Sequence, residues 1–140
     1  MRGFLLDSHV TAAVVPGVRR ALPSCEIDHL STWRGGAFLH ASDESIILAA
    51  SNEDLVFVTY DVHSVPPLVH RMVAEGRPPV GIALGVPRVI RPSDAGKLIS
   101  VLVRLFAKPF PFDPAYPVVY LRPSPKPSVK ERRGRKGVVD

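Results

Sequence analysis

Two apolar runs in this chain end on an aspartate. Gly3-Phe4-Leu5-Leu6 runs into Asp7, and Leu55-Val56-Phe57-Val58-Thr59-Tyr60 runs into Asp61. Runs this short and this apolar, alternating with helical patterns, specify strands buried on both faces of a parallel sheet. In such a sheet ligands bind beyond the carboxyl ends of the strands, so Asp7 and Asp61 are expected on one functional rim. Asp43 lies between them in Ala41-Ser42-Asp43-Glu44-Ser45, at the start of a helical pattern. Three carboxylates gathered there would suit a hard divalent cation such as Mg²⁺.

The remaining periodicity completes an α/β architecture. Residues 3–7 read as a first strand and Val10 to Leu22 as a helix that starts or kinks at Pro16. Cys25 to Leu30 reads as a second strand, with Ile27 inward and Glu26 and Asp28 outward. Ser31 to Ala41 reads as a loop. Ser42 caps a helix from Asp43 to Asn52. Pro66 and Pro67 suit the first turn of a helix from Val65 to Glu75, and Gly76 suits its end. Val80 to Leu84 is a fourth strand, Val86 to Ile90 a short fifth one, and Ser93 caps a final helix to about Phe106. The order implies a three-layer α/β/α sandwich with a mainly parallel sheet.

Length and composition bound the function. A chain of 140 residues makes one domain with a real core. No run approaches the ~20 apolar residues of a membrane span, so no membrane partner is expected. Asp7 interrupts the N-terminal apolar run too early for a signal peptide, and the cytoplasm is the expected compartment. The single cysteine, Cys25, rules out an internal disulfide or a cysteine-based zinc site. Residues 1–121 carry 11 basic and 11 acidic side chains, so the whole net charge of +5 belongs to residues 122–140. That division gives a body over 1–107, a proline-rich extension over 108–121 holding one strand candidate, Val118 to Leu121, and a basic tail over 122–140. Proline, serine and charge predict disorder for the tail.

Each aspartate alone has an ordinary use. Asp7 or Asp43 could cap a helix, and Asp61 could serve a turn. Together on one rim they would repel one another unless a cation sat between them. A bound Mg²⁺ or Mn²⁺ can activate a water for attack on a phosphodiester and stabilise the leaving oxygen. Two other acidic rims fail on residues. A haloacid-dehalogenase-type phosphatase needs a second acid two residues after the first, where this chain has His9. A receiver domain needs an acid pair at the end of strand one and a late lysine, and neither is present.

Three segments carry a resemblance: Phe4-Leu5-Leu6-Asp7, Asp43-Glu44-Ser45-Ile46-Ile47-Leu48-Ala49-Ala50, and Val56-Phe57-Val58-Thr59-Tyr60-Asp61. In this order and spacing they resemble a PIN-like nuclease domain of the compact prokaryotic toxin type, over about residues 2–107. The resemblance implies a metal-dependent endoribonuclease, with Asp7, Asp43 and Asp61 as Mg²⁺ or Mn²⁺ ligands and Thr59 orienting the last carboxylate. It further implies an RNA substrate, an antitoxin protein as partner and a homodimer. One position departs from the pattern. Ser64 stands where such domains often carry a fourth acid, which leaves a weaker metal site or an inactive module that binds RNA or protein. Glu44 is a substitute ligand in that case.

Other residues are secondary candidates. His9 and His63 each follow a strand-end aspartate by two positions and could contact phosphate or move a proton. Arg34, in the Arg34-Gly35-Gly36 loop, could meet RNA phosphate at the same rim. Trp33 reads more readily as a packed anchor than as a base-stacking platform. Lys130, Arg132, Arg133, Arg135 and Lys136 could hold nucleic acid through charge alone. Deleting residues 122–140 is therefore expected to leave the fold intact while lowering RNA affinity and flattening its salt dependence by about one log–log unit per lost phosphate contact. Binding compared at two salt concentrations checks this, and identical affinities and slopes would remove the tail from RNA recognition.

Overall fold

The computed structural model describes residues 1–123. The basic run from Lys130 to Lys136, and the disorder expected of the tail beyond Pro123, lie outside the described residues. Five strands form one all-parallel sheet in the order β2-β1-β3-β4-β5. They are β1 (Gly3–Leu6), β2 (Glu26–His29), β3 (Leu55–Thr59), β4 (Ile82–Leu84) and β5 (Val118–Tyr120). Four helices flank it: α1 (Val14–Ala21), α2 (Asp43–Asn52), α3 (Val65–Ala74) and α4 (Ala95–Ala107). The expected three-layer α/β/α sandwich is what the chain forms. Among the described residues no helix is long and apolar enough to cross a membrane.

The two-residue period of the central strands divides the core in two. Phe4, Leu6, Val56 and Val58 face one side, where they meet Val14 and Val18 of α1 and Leu98, Val101, Leu102 and Leu105 of α4. Leu5, Leu55, Phe57 and Ile82 face the other, against Ile46, Ile47 and Ala50 of α2 and Val65, Val69 and Met72 of α3. Each residue of β1 and β3 is buried. Cys25 joins the first of these faces, and burial, then Glu26, pushes its thiol up to about 11, as suits an inert packing residue.

Local signals end the helices where expected, with small shifts. Ser42 Oγ accepts from Ser45 N–H at 3.2 Å and starts α2. Pro66 and Pro67 occupy the first turn of α3. Gly76, at φ +73°, closes α3 with bonds from its own amide to Val73 and from the Arg77 amide to Met72, a Schellman arrangement. Helix α1 starts four residues later than expected, so Pro16 falls in its first turn without a kink. The cap of α4 is Asp94, not Ser93; its carboxylate accepts from Lys97 N–H at 3.1 Å. Residues 86–90 are no strand. Pro87 removes a ladder donor, and the amides of Val89 and Ile90 turn back onto the Val86 carbonyl.

The stretch 108–121 belongs to the same folded unit. It supplies β5 and places Leu121 in the core. Its route is unusual. The crossovers through α1, α2 and α3 share one hand, because the first moves leftward over one face and the next two rightward over the other. The crossover from β4 through α4 to β5 moves rightward over the α1 face, so its hand is opposite. Parallel crossovers are right-handed in about 98% of cases, which makes this last one left-handed. The long connection through Pro109, Pro111, Pro114 and Pro117 gives the chain the length to return from the end of α4 to β5 on this path.

At the opposite edge, β1 and β2 approach so closely at Gly3 that a Cβ there would fall inside the Glu26 carbonyl. Gly3→Ala is expected to destabilise the fold by about 2 kcal/mol or more, because backbone must move. Urea unfolding checks this, and an unchanged midpoint would show that the two strands part without cost.

Candidate functional site

The sheet order reverses at β1: the chain leaves it first for β2 on one side and later returns to β3 on the other. This switch point opens a crevice at the carboxyl ends of β1 and β3, the usual ligand position in open parallel sheets. Asp7 directly follows β1, and Asp61 lies two residues beyond β3. The N-terminus of α2 brings Asp43 to the same place. A cleft of about 380 Å³ is lined by all three aspartates, with Ser8, His9 and Tyr60, and by an apolar wall of Leu30, Leu39, Ala41 and Ile46. Among the described residues no lysine or arginine lines it.

Each carboxylate is held differently. Asp7 Oδ2 accepts the Thr59 hydroxyl at 2.7 Å, and its Oδ1 accepts the Ser8 amide at 2.7 Å. Thr59 itself is fully buried. The resemblance assigned Thr59 to the last carboxylate, but its hydroxyl donates to the first; toward Asp61 it only accepts the backbone amide, at 3.2 Å. The reason is register: Asp7 N–H bonds the Val58 carbonyl, which sets Asp7 beside Thr59. Asp61 Oδ1 accepts the Ser64 amide at 2.9 Å and so steadies the entry to α3. Asp43 accepts no hydrogen bond among the described residues. Burial raises its pKa first, then the charges of Asp7 and Asp61 add to the rise. The three acids therefore share one electrostatic field.

The other candidates separate. His9 lines the cleft; His63 and Ser64 are exposed on the β3–α3 connection, outside its lining. Glu44 faces away and forms ion pairs with Arg71 at 2.6 Å and Arg77 at 2.9 Å. Those hydrogen bonds, Arg71's first, hold its carboxyl below the usual range. It is thus a partner of two arginines and not a spare ligand. Arg34 pairs with Glu53 at the far end of α2 and lies over the Trp33 ring. A ten-residue helix is about 15 Å long, which takes Arg34 well away from Asp43. Trp33 is buried against Phe38, as a packed anchor. The buried His29 spends both ring nitrogens, on Ser31 Oγ at 2.7 Å and the Val10 carbonyl at 2.8 Å.

Sequence reasoning passed over Tyr60 and Ser8. Tyr60 lines the cleft, its phenolic oxygen is buried without a hydrogen-bond partner among the described residues, and burial, then Asp94, pushes its pKa up to about 12. Its place between Thr59 and Asp61 was the available signal.

Donor chemistry in the cleft suits a hard cation, with three carboxylates and no competing positive side chain. Among the described residues, however, no three His, Cys, Asp or Glu side chains close on a common point as a single ion would require. The fit is therefore to a hydrated ion held through one or two carboxylates with water between it and the rest, the mode usual for Mg²⁺. No protein-family model, curated protein or solved structure matches this chain.

The raised pKa of Asp43 has a sign. Its folded value lies above the unfolded one, so its charge weakens the fold fully above the folded value, and the penalty is lost as pH falls from the folded value to the unfolded one near 3.8. Asp43→Asn is expected to raise the melting temperature at pH 7 by about 2 °C, the size of a partly screened electrostatic relief, with the gain shrinking toward pH 3. Thermal melts at both pH values check this. An equal shift at both would show that the three acids do not share a field.

Proposed function

We propose that the acidic cleft is the active site of a metal-dependent endoribonuclease of the PIN-like kind. One observation carries this reading: three aspartates from three separate elements meet at the switch point of the sheet, with no lysine or arginine beside them among the described residues. A structural use accounts for Asp61 in part, through Ser64, but gives Asp43 no hydrogen-bond partner among the described residues. Asp7, Asp43 and Asp61 would hold the hydrated Mg²⁺ or Mn²⁺. Such an ion, when bound, supplies an activated water and charge stabilisation for phosphodiester hydrolysis. Around it, Thr59 and the Ser8 amide fix the Asp7 carboxylate, so no reorganisation is needed as charge develops. The apolar wall of Leu30, Leu39 and Ile46 lowers the local dielectric on one side of the cleft. His9, exposed at the lip, would contact a phosphate or accept a proton from solvent-side groups. The setting of a toxin paired with an antitoxin, and a homodimer, rest on the sequence resemblance.

A second reading is favoured by Ser64, which offers a backbone amide to Asp61 where a fourth acid would add charge. In that reading the module binds RNA or a protein without cutting.

Asparagine is the informative substitution, because it keeps the Oδ1 acceptor for the Ser8 or Ser64 amide while removing the charge. With purified protein, single-stranded RNA and Mg²⁺ or Mn²⁺, Asp7→Asn and Asp61→Asn are each expected to lower cleavage by about 100-fold or more. Metal is expected to raise the melting temperature of the parent chain and not of the variants. Cleavage that survives in Asp61→Asn, or in excess chelator, would overturn the nuclease reading. A metal-dependent melting shift with RNA bound but uncut would select the inactive module.

A further inference from the structure

The carboxyl edge that carries the acidic cleft continues past β3 into a second concave surface of about 440 Å³, lined by Val62, Val86, Pro87, Arg88 and Tyr120. Three neighbouring strand ends build it: Val62 follows β3, Val86 to Arg88 follow β4, and Tyr120 closes β5. It shares no lining residue with the cleft, yet the two adjoin. Asp61 lines one and Val62 the other. The Tyr60 ring, part of the cleft wall, lies so close to Gly85 that a Cβ there would fall 2.6 Å from it. Two strand spacings, about 10 Å, take the edge from the β1–β3 crevice to the ends of β4 and β5.

Positive charge at this edge is uneven. The strand-to-helix connections hold three arginines: Arg34 before α2, and Arg88 and Arg91 before α4. Arg34 is taken by Glu53. Arg88 and Arg91 are exposed, and among the described residues neither has an ion pair. Tyr120 is 43% exposed and Pro87 is exposed with it, so a phenol ring and an aliphatic surface face solvent beside the Arg88 side chain. An exposed ring next to a guanidinium suits a nucleobase, since every base has a face to stack, and the cation holds backbone phosphate. We propose that this surface is the subsite for the nucleotide next to the scissile phosphate of a single-stranded RNA, with its base on Tyr120 and its phosphate on Arg88. Arg91, three residues on, adds charge to the same connection. The inference rests on the nuclease reading, because a phosphate held in the acidic cleft is what sets the path of the strand. A single strand is required, because in a duplex the base faces are already stacked.

The test uses the full chain at low salt in excess chelator, where binding is read without cleavage, and a fluorescein-labelled single-stranded oligouridylate followed by anisotropy. Saturable binding is expected. Tyr120→Leu is expected to weaken it about tenfold, while Tyr120→Phe binds as the parent does, because stacking needs the ring and not the hydroxyl. Arg88→Ala is expected to weaken it and to flatten the salt dependence by about one log–log unit. An abasic oligomer with the same number of phosphates is expected to bind less tightly, and to respond to Arg88→Ala but not to Tyr120→Leu. Melting curves are expected to match the parent, because both side chains are exposed. Failure to saturate, equal binding of the abasic oligomer, or indifference to either substitution would overturn the proposal. So would a dimer that Tyr120→Leu splits, which would give the surface to a second copy of the chain. Metal-dependent cleavage of the same oligouridylate separates the two readings. Binding as expected without cleavage overturns the nuclease and leaves the base-binding surface, whereas cleavage with both substitutions silent overturns the subsite alone.

Discussion

Strands β1 and β3 are buried on both faces, and that single constraint organises the acidic cleft. A polar group inside such a strand must find a partner, because its desolvation costs about as much as a lost hydrogen bond. Thr59 is the only polar side chain in either strand, and it is fully buried. Its hydroxyl can donate to Asp7 because the parallel register, with Leu6 opposite Val58, sets the ends of the two strands level. The core thus fixes the first carboxylate before any ligand arrives. Charge is excluded from the strands and collects at their ends, where the sheet order reverses and leaves room for it.

Asp43 reaches the cleft by a different route. Ser42 caps α2 and places Asp43 in its first turn, where the helix dipole favours an ionised carboxylate. The dipole does not win. Burial first, then the neighbouring charges of Asp7 and Asp61, move the pKa upward, against the direction in which a helix end acts. Asp61 divides its two oxygens between tasks: Oδ1 holds the start of α3, while Oδ2 accepts no hydrogen bond among the described residues. A turn residue and a candidate ligand are therefore one residue, and the sequence pattern alone could not separate the two.

Legibility followed the range of the interaction. Local signals, such as the Ser42 cap, the paired prolines of α3 and Gly76 at φ +73°, act within one turn and were readable from neighbours alone. The apolar runs of β1 and β3 were readable because burial on both faces leaves no alternation to confuse. Features set by distant partners were not. Arg34 lies 19 positions from Glu53 in sequence, and nothing local directs it there in place of the rim. Thr59 and Asp7 are 52 positions apart, so the choice between two nearby carboxylates depended on strand register. Residues 86–90 showed strand-like composition, yet Pro87 and the turn onto Val86 prevailed.

The hand of the last crossover has a structural consequence. Helix α4 lies on the face that α1 also covers, where Leu98 and Leu102 are fully buried with Phe4 and Leu6. A helix drawn to that position cannot also cover the three-residue edge strand that follows it. Strand β5 is left with one covered face on the α3 side, where Tyr116 stacks on His70 at 4.6 Å, and a groove on the other. The same displacement leaves Val101 and Leu105 of α4 at the groove floor, each 4–5% exposed. A right-handed return would have placed the helix over the opposite face of β5 and left no such groove between α4 and the strand. This groove, lined in part by Arg104, Lys108 and Arg122, is thus a product of topology, as the acidic cleft is a product of the buried strands, and the two surfaces differ in charge for independent reasons.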